Sequence, residues 1–264
     1  MRSIRGKKLK RRKLLITVFA VFLFFGNKEA FPDKGIFSHL EKEAAFPLHL
    51  DTESGLILAG VAAGTAACLL LDDKVKEGMR SLNSPVLDSL QNMDVFGDGF
   101  FTLGMSGGFY LLGGEKEKKV CCLLIESFIE TGLITTVLKA GFGRKRPDSG
   151  FGPGAFSPFT LSNDSFPSGH AATAFSSAAV LARAYDAGWI TYPLAACVSF
   201  FRIYKEKHWL SDVFLGSVIG LAIGNMHVLD KDSKASELSF GFETAGRVTE
   251  VDGSGLFYVM KLKF

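Results

Sequence analysis

Gly55 to Leu71 is seventeen residues without a charge, and four comparable runs follow it. Lys119 to Lys139 is apolar between its ends except for Glu126, Glu130 and several threonines. His170 to Leu181 is small and apolar and continues to Tyr185. Trp189 to Ile203 stays apolar until Arg202, and Val213 to Leu229 is broken only by Asn225 and His227. Segments of this length and polarity are helices that bury most of their surface. Their uncharged stretches fall just under the ~20 residues of a clean membrane span. They suit short, tilted membrane helices or the buried helices of a soluble bundle. The expectation is an all-α bundle of about six helices, embedded in a membrane. Phe96 to Gly114 is weaker, with seven glycines and Asp98. It is expected to pack on the bundle without crossing.

Both ends differ from this body. Residues 1–13 carry eight basic side chains and no acid, followed by the uncharged Leu14 to Phe25. A basic start before an apolar stretch is the pattern of a secretory signal. Ala30 suits a cleavage site and Lys28 does not, so residues 1–30 fit a cleaved signal or an uncleaved anchor. At the other end, Leu238 to Phe242, Arg247 to Val251 and Leu256 to Phe264 alternate in polarity around Asp252-Gly253 and Gly255. That predicts a short hairpin-like tail over 230–264, leaving 31–229 as the helical domain.

Composition excludes other classes. Hydrophobic residues make up 47% and charged residues 22%, with mean hydropathy +0.23, which excludes a disordered chain. The formal charge is +3, and removing the eight basic residues of the leader leaves a body of −5. An acidic body argues against nucleic acid as a partner. Cys68, Cys121, Cys122 and Cys197 all lie in apolar runs and form no Cys-x-x-Cys pair, so they are expected to be buried hydrophobes and not metal ligands. Glu126 and Glu130 share a helix face. A buried, hydrogen-bonded pair or a water-facing side is expected there in preference to paired catalytic acids.

Three clusters carry the chemistry. Lys139 to Pro147 places Lys139, Arg144, Lys145 and Arg146 where a helix runs out into a Gly/Pro/Phe-rich loop reaching Pro167. Phe166 to His170 puts Pro-Ser-Gly before a helix, which leaves free backbone N–H groups and the positive end of the dipole facing the loop. Ser168 could also simply cap that helix. Arg202 to Asp212 places His208 and Asp212 four apart, on one helix face. A carboxylate so placed can hold one imidazole nitrogen protonated and leave the other free to attack. Cations for phosphoryl oxygens, backbone amides and two histidines together meet the needs of phosphoryl transfer without a metal. His39, His49 and His227 lack such company.

The order Lys139, Arg146-Pro147, then Pro167-Ser168-Gly169-His170, then Arg202, His208 and Asp212 resembles the three-part signature of the type 2 phosphatidic acid phosphatase superfamily. That group also includes class A acid phosphatases and vanadium haloperoxidases. Phe201 departs from the Ser usual before the arginine. The resemblance implies His208 as the nucleophile that forms a phosphohistidine, Asp212 as its orienting partner, and His170 as general acid and then base. It implies Lys139, Arg146, Arg202, Ser168 and the Gly169 amide as the phosphate cradle, with no metal and no cofactor. The expected substrate is a lipid phosphate or diphosphate, and the expected location is the inner membrane with the site on the outer, periplasmic face. A soluble periplasmic acid phosphatase is the alternative, and a haloperoxidase holding vanadate a more distant one. The loop phenylalanines Phe142, Phe151, Phe156, Phe159 and Phe166 could meet lipid chains or cap the core.

Overall fold

The computed structural model describes residues 52–82, 84–160 and 163–232. The leader and the C-terminal tail lie outside them. Seven α-helices follow in order: α1 Thr52–Ser81, α2 Pro85–Leu90, α3 Gly99–Leu112, α4 Glu115–Phe142, α5 Gly169–Tyr185, α6 Gly188–Tyr204 and α7 Leu210–Asp232. Gln91–Gly97 and Pro147–Ser149 are 3-10 turns. There is no extended sheet among the described residues, so the all-α expectation holds. Six helices have fourteen residues or more, and α2 is a short connector.

Helix α5 is the centre of the bundle. It packs against α4, α6 and α7. Its small residues Ala171, Ala172, Ala174, Ala178 and Ala179 are buried, which lets neighbouring backbones come close. Helix α7 answers with a glycine every fourth residue. A Cβ on Gly216, Gly220 or Gly224 would collide with the carbonyl oxygens of Ser168, Ala172 and Ser176. Residues four apart share a helix face, so this is a small-residue seam of the kind that brings membrane helices together. The seam presses the start of α7 against the start of α5, where two of the three motifs lie.

Helices α1 and α4 are long and apolar enough to cross a membrane. They differ in exposure. In the apolar window of α1 only 11% is buried, against 56% in α4. Leu56, Leu70 and Leu71 of α1 stand exposed, and leaving such rows of leucine in water is unfavourable. Helix α3 has fourteen residues, about 21 Å at the helical rise, and packs on α4.

The cysteine expectation holds only in part. Cys121 is fully buried, while Cys68, Cys122 and Cys197 are half-buried. Glu126 and Glu130 are buried in α4.

Candidate active site

Helix α4 ends because Gly143 adopts a left-handed conformation (φ +57°), and its N–H closes on the Lys139 carbonyl at 2.8 Å. A side chain there would strike the Ser157 carbonyl, so only glycine fits. The chain then runs extended through Arg144 to Arg146 and bridges Phe156 from Arg144. Side chains two apart share a face in such a stretch, so what separates the two arginines is their partners: Arg144 is fully buried, and Arg146 pairs with Asp164 of the loop.

Arg144 is completely buried and fully paired. Its guanidinium donates to Asp72 Oδ2 at 2.7 Å, to Asp212 Oδ1 at 2.5 Å, to Ser211 Oγ at 2.7 Å and to the Pro153 carbonyl. Asp72 also accepts the Ser211 N–H at 3.0 Å and the Ser211 hydroxyl at 2.7 Å. One arginine thereby ties α1, the loop and the first turn of α7 together. The rings of Phe156, Phe166 and Trp209 surround it.

His208 lies between α6 and α7 and is 2% exposed. Its Nδ1 is 2.8 Å from the Ser165 carbonyl and 3.5 Å from Asp212 Oδ2. A carbonyl can only accept, so Nδ1 carries the proton and Nε2 presents its lone pair. Burial pushes this imidazole down to about 3 against the pull of Asp212, so the ring is neutral near pH 7. Here the geometry refines the expectation. The main-chain carbonyl of Ser165 is the closer partner of Nδ1. Asp212 stands behind it, held by Arg144, by the Ser165 hydroxyl at 2.5 Å and by the Trp209 N–H at 2.8 Å.

The expected cradle residues gather on the same loop and helix ends. Arg146 makes a two-bond fork with Asp164, at 2.9 Å on each arm. The Lys139 ammonium donates to the Asp164 carbonyl. A Cβ on Gly169 would lie 3.9 Å from Lys139 Cε, which places the lysine tip beside the start of α5. Arg202 is 8% exposed and donates through one terminal nitrogen to Asp94 at 2.8 Å. Its buried Nε–H has no hydrogen-bond partner, a donor that an anionic oxygen would satisfy. Ser168 caps α5, accepting the Ala171 N–H at 3.4 Å, and its own N–H donates to the Asp212 carbonyl at 2.8 Å. Capping is thus the contact seen for its hydroxyl, which keeps a proton to donate. His170 sits half-buried in the first turn of α5.

Four acids and hydroxyls that complete this arrangement belong to no motif: Asp72, Asp94, Asp164 and Ser165. Asp72 carries a faint signal, being the first charge after the uncharged Gly55 to Leu71. The others are single residues with no spacing to mark them. Asp94 pairs with Arg202 and Lys205, and Asp164 with Arg146. Burial raises both carboxyls, but these cations outweigh it and hold both below the usual range. Among the described residues no group of three or more His, Cys, Asp and Glu converges to hold a metal ion.

Residues 120–233 match the family model described as PAP2 superfamily, a segment that includes all three motifs and helices α5 to α7. This part of the chain is similar to the PAP2 superfamily. It is 32% identical over 119 residues to a lipid A 1-phosphatase of Porphyromonas gingivalis, covering 42% of this chain and 24% of that protein. It is 33% identical over 127 residues to a lipid A 1-phosphatase of Rhizobium etli, covering 43% of this chain and 54% of that protein. The matched segments therefore span at most about half of these relatives. The fold also aligns with a crystal structure, that of a transmembrane PAP2-type phosphatidylglycerolphosphate phosphatase of Bacillus subtilis. The TM-score is 0.52 at 20% identity, over 69% of this chain and 98% of that one.

Proposed function

We propose that this chain is a membrane phosphatase that hydrolyses a lipid phosphate or diphosphate through a phosphohistidine on His208. The observation that carries the proposal is the state of His208. It is neutral, protonated on Nδ1 by its bond to Ser165, and lies in the field of Lys139 and Arg202. Nε2 attacks phosphorus in line with the leaving oxygen. Lys139, Arg146, Arg202 and the amides at the start of α5 take the charge on the equatorial oxygens, which is where catalysis of this reaction resides. Nδ1 becomes part of an imidazolium as the bond forms, and Asp212 offsets that charge. His170 takes the proton of the bound phosphate monoanion and gives it to the leaving alcohol or phosphate. It then takes one from water, whose oxygen releases phosphate from His208. Cationic side chains perform the neutralisation for which other phosphatases use a metal.

Two features support a lipid substrate. The exposed leucines of α1 place apolar surface where only hydrocarbon is a suitable neighbour. Similarity to two lipid A 1-phosphatases points the same way. The basic residues 1–13 set the start of the chain inside, by the preference of positive charge for the cytoplasm. With α1 returning inward, α3 not crossing and α4 running outward, the site opens on the outer, periplasmic face of the inner membrane. Residues 31–229 form the catalytic unit, and 230–264 a tail.

A phosphate-release panel over phosphatidic acid, phosphatidylglycerol phosphate, an isoprenyl diphosphate and a lipid A 1-phosphate tests the proposal. Release from at least one, abolished in His208→Ala, is expected. Equal release by both proteins, or none by wild type, contradicts it. Labelling of a cysteine placed in 148–160 by an impermeant reagent, in a cysteine-free background, tests the face. Labelling in intact cells is expected, and labelling only in broken cells reverses the orientation.

A further inference from the structure

Asp164 and Ser165 touch residues of both the first and the third motif, although neither lies in any of the three motifs. The Asp164 carboxylate holds Nε and one terminal nitrogen of Arg146 at 2.9 Å each. Its main-chain carbonyl accepts from Lys139. Next in the chain, the Ser165 carbonyl holds His208 Nδ1 at 2.8 Å. The Ser165 hydroxyl donates to Asp212 at 2.5 Å, and its N–H to the Arg144 carbonyl at 3.1 Å. Ser165 is fully buried, so its hydroxyl and carbonyl cannot turn to water.

We infer that Asp164 and Ser165 form a positioning clasp that registers the cations of the first motif against the nucleophile of the third. This rests on the phosphohistidine reading above. The fork fixes Arg146 from one edge. A guanidinium has five N–H donors and the fork uses two, so the terminal nitrogen that faces away from Asp164 is left for a phosphoryl oxygen. The carboxylate thus orients the cation without occupying all of it. A one-residue step along the backbone then links that orientation to the tautomer and angle of His208. Displacement of a reacting group by about 1 Å can cost on the order of 100-fold in rate, and Arg146 without its fork has several rotamers to choose from. The prediction is a defect in turnover more than in binding.

A double-mutant cycle tests this. Full-length protein carrying Asp164→Ala, Asp164→Asn, Arg146→Ala or Asp164→Ala with Arg146→Ala is purified in detergent. Its kcat and KM are measured with the fastest-cleaved lipid of the panel. Asp164→Ala is expected to lower kcat by about 10- to 100-fold with KM within about threefold. Asp164→Asn, which keeps one acceptor for the fork, falls between it and wild type. In the Arg146→Ala background, Asp164→Ala changes kcat by less than about threefold, because the clasp acts through the arginine. A purely structural acid would lower the amount of folded protein and the melting temperature, and its effect would multiply with that of Arg146→Ala. Ser165→Ala keeps the carbonyl to His208 and loses the bond to Asp212, so a smaller fall, about fivefold, is expected.

Orthovanadate binding followed by vanadium NMR supplies a readout that does not depend on the choice of lipid. Weakening by at least about fivefold in Asp164→Ala supports the clasp. Turnover or vanadate affinity within twofold of wild type in Asp164→Ala, or a multiplicative cycle, overturns the clasp and leaves the phosphatase reading standing. Wild type that neither cleaves any lipid nor binds vanadate overturns both.

Discussion

Arg144 and Arg146 are two residues apart in one extended stretch, and they have opposite fates. Arg144 is wholly buried, with both ends of its guanidinium taken by Asp72, Asp212, Ser211 and Pro153. Arg146 has a side chain 29% exposed and one carboxylate partner that is itself 42% exposed. The first arginine has no donor to spare and works as a structural tie between α1 and α7. The second keeps donors free at the entrance to the cradle. Both are cations in a basic cluster, and alternation would put them on one face, so the difference comes from where the acids are. Asp72 and Asp212 come from two helices that converge under the loop, while Asp164 is on the loop itself.

Removing the guanidinium is the strongest way to break this contrast. Arg144→Ala leaves Asp72 and Asp212 as buried, uncompensated carboxylates, a cost of about 3–5 kcal/mol. Folded protein recovered in detergent should fall sharply, and with it all activity. Arg146→Ala should instead leave the melting temperature within a few degrees, since a half-exposed pair contributes at most about 1 kcal/mol. It should lower kcat by about 100- to 1,000-fold, the usual effect of deleting one transition-state donor. If both variants lose folded protein alike, or both fold and differ only in rate, the contrast fails.

A milder change sharpens the same comparison. Asp72→Asn keeps the shape and one acceptor but removes a charge facing Arg144, and should cost about 2 kcal/mol. KM should stay near the wild-type value, because Asp72 meets the site only through Ser211 and Arg144. A KM change beyond threefold would place Asp72 in the cradle.

The smallest effect is a dependence on pH. His208 has a folded value of about 3 against an ordinary 6.5. Below about pH 6.5 the unfolded chain therefore binds a proton that the folded chain does not, and stability falls as pH falls through the window from 6.5 toward 3. The slope is about 1 kcal/mol per pH unit. Between pH 6.5 and 5 the depressed carboxyls of Asp94 and Asp164 stay ionised in both states and add nothing. The melting temperature of wild type should drop more between pH 7 and 5 than that of His208→Gln. Equal drops would mean that His208 is not buried in its neutral form.

These contrasts also explain how far the sequence alone could be followed. The helices were legible because each apolar run has one physical solution. The helices Gly169–Tyr185 and Gly188–Tyr204 lie within a residue or so of the runs that announce them. Helix α1 runs ten residues beyond its uncharged run, to Ser81, because Asp72, Lys76 and Arg80 find partners across the bundle. Lys139, Arg146, Arg202, His208 and Asp212 were legible as a pattern of residue types at fixed spacing. Their partners were not. Asp94, Asp164 and Ser165 reach the site through tertiary packing, so no local period marks them. Nor does composition separate Arg144 from Arg146, since burial of one and exposure of the other follow from the turn at Gly143 and the acids beneath it.

The central claim is that His208 carries the phosphoryl group. It is tested most directly by mixing purified protein with a lipid whose phosphate is radiolabelled, quenching within milliseconds at alkaline pH, and counting label on the protein. Wild type should show label that is stable to base and released by acid, as a phosphohistidine requires. His208→Ala should show none, and His170→Ala, slowed both in forming the phosphohistidine and in the step that water completes, should gain label more slowly than wild type and lose it more slowly. Label that persists in His208→Ala, or lipid cleavage by wild type with no labelled protein at any time, would contradict the account.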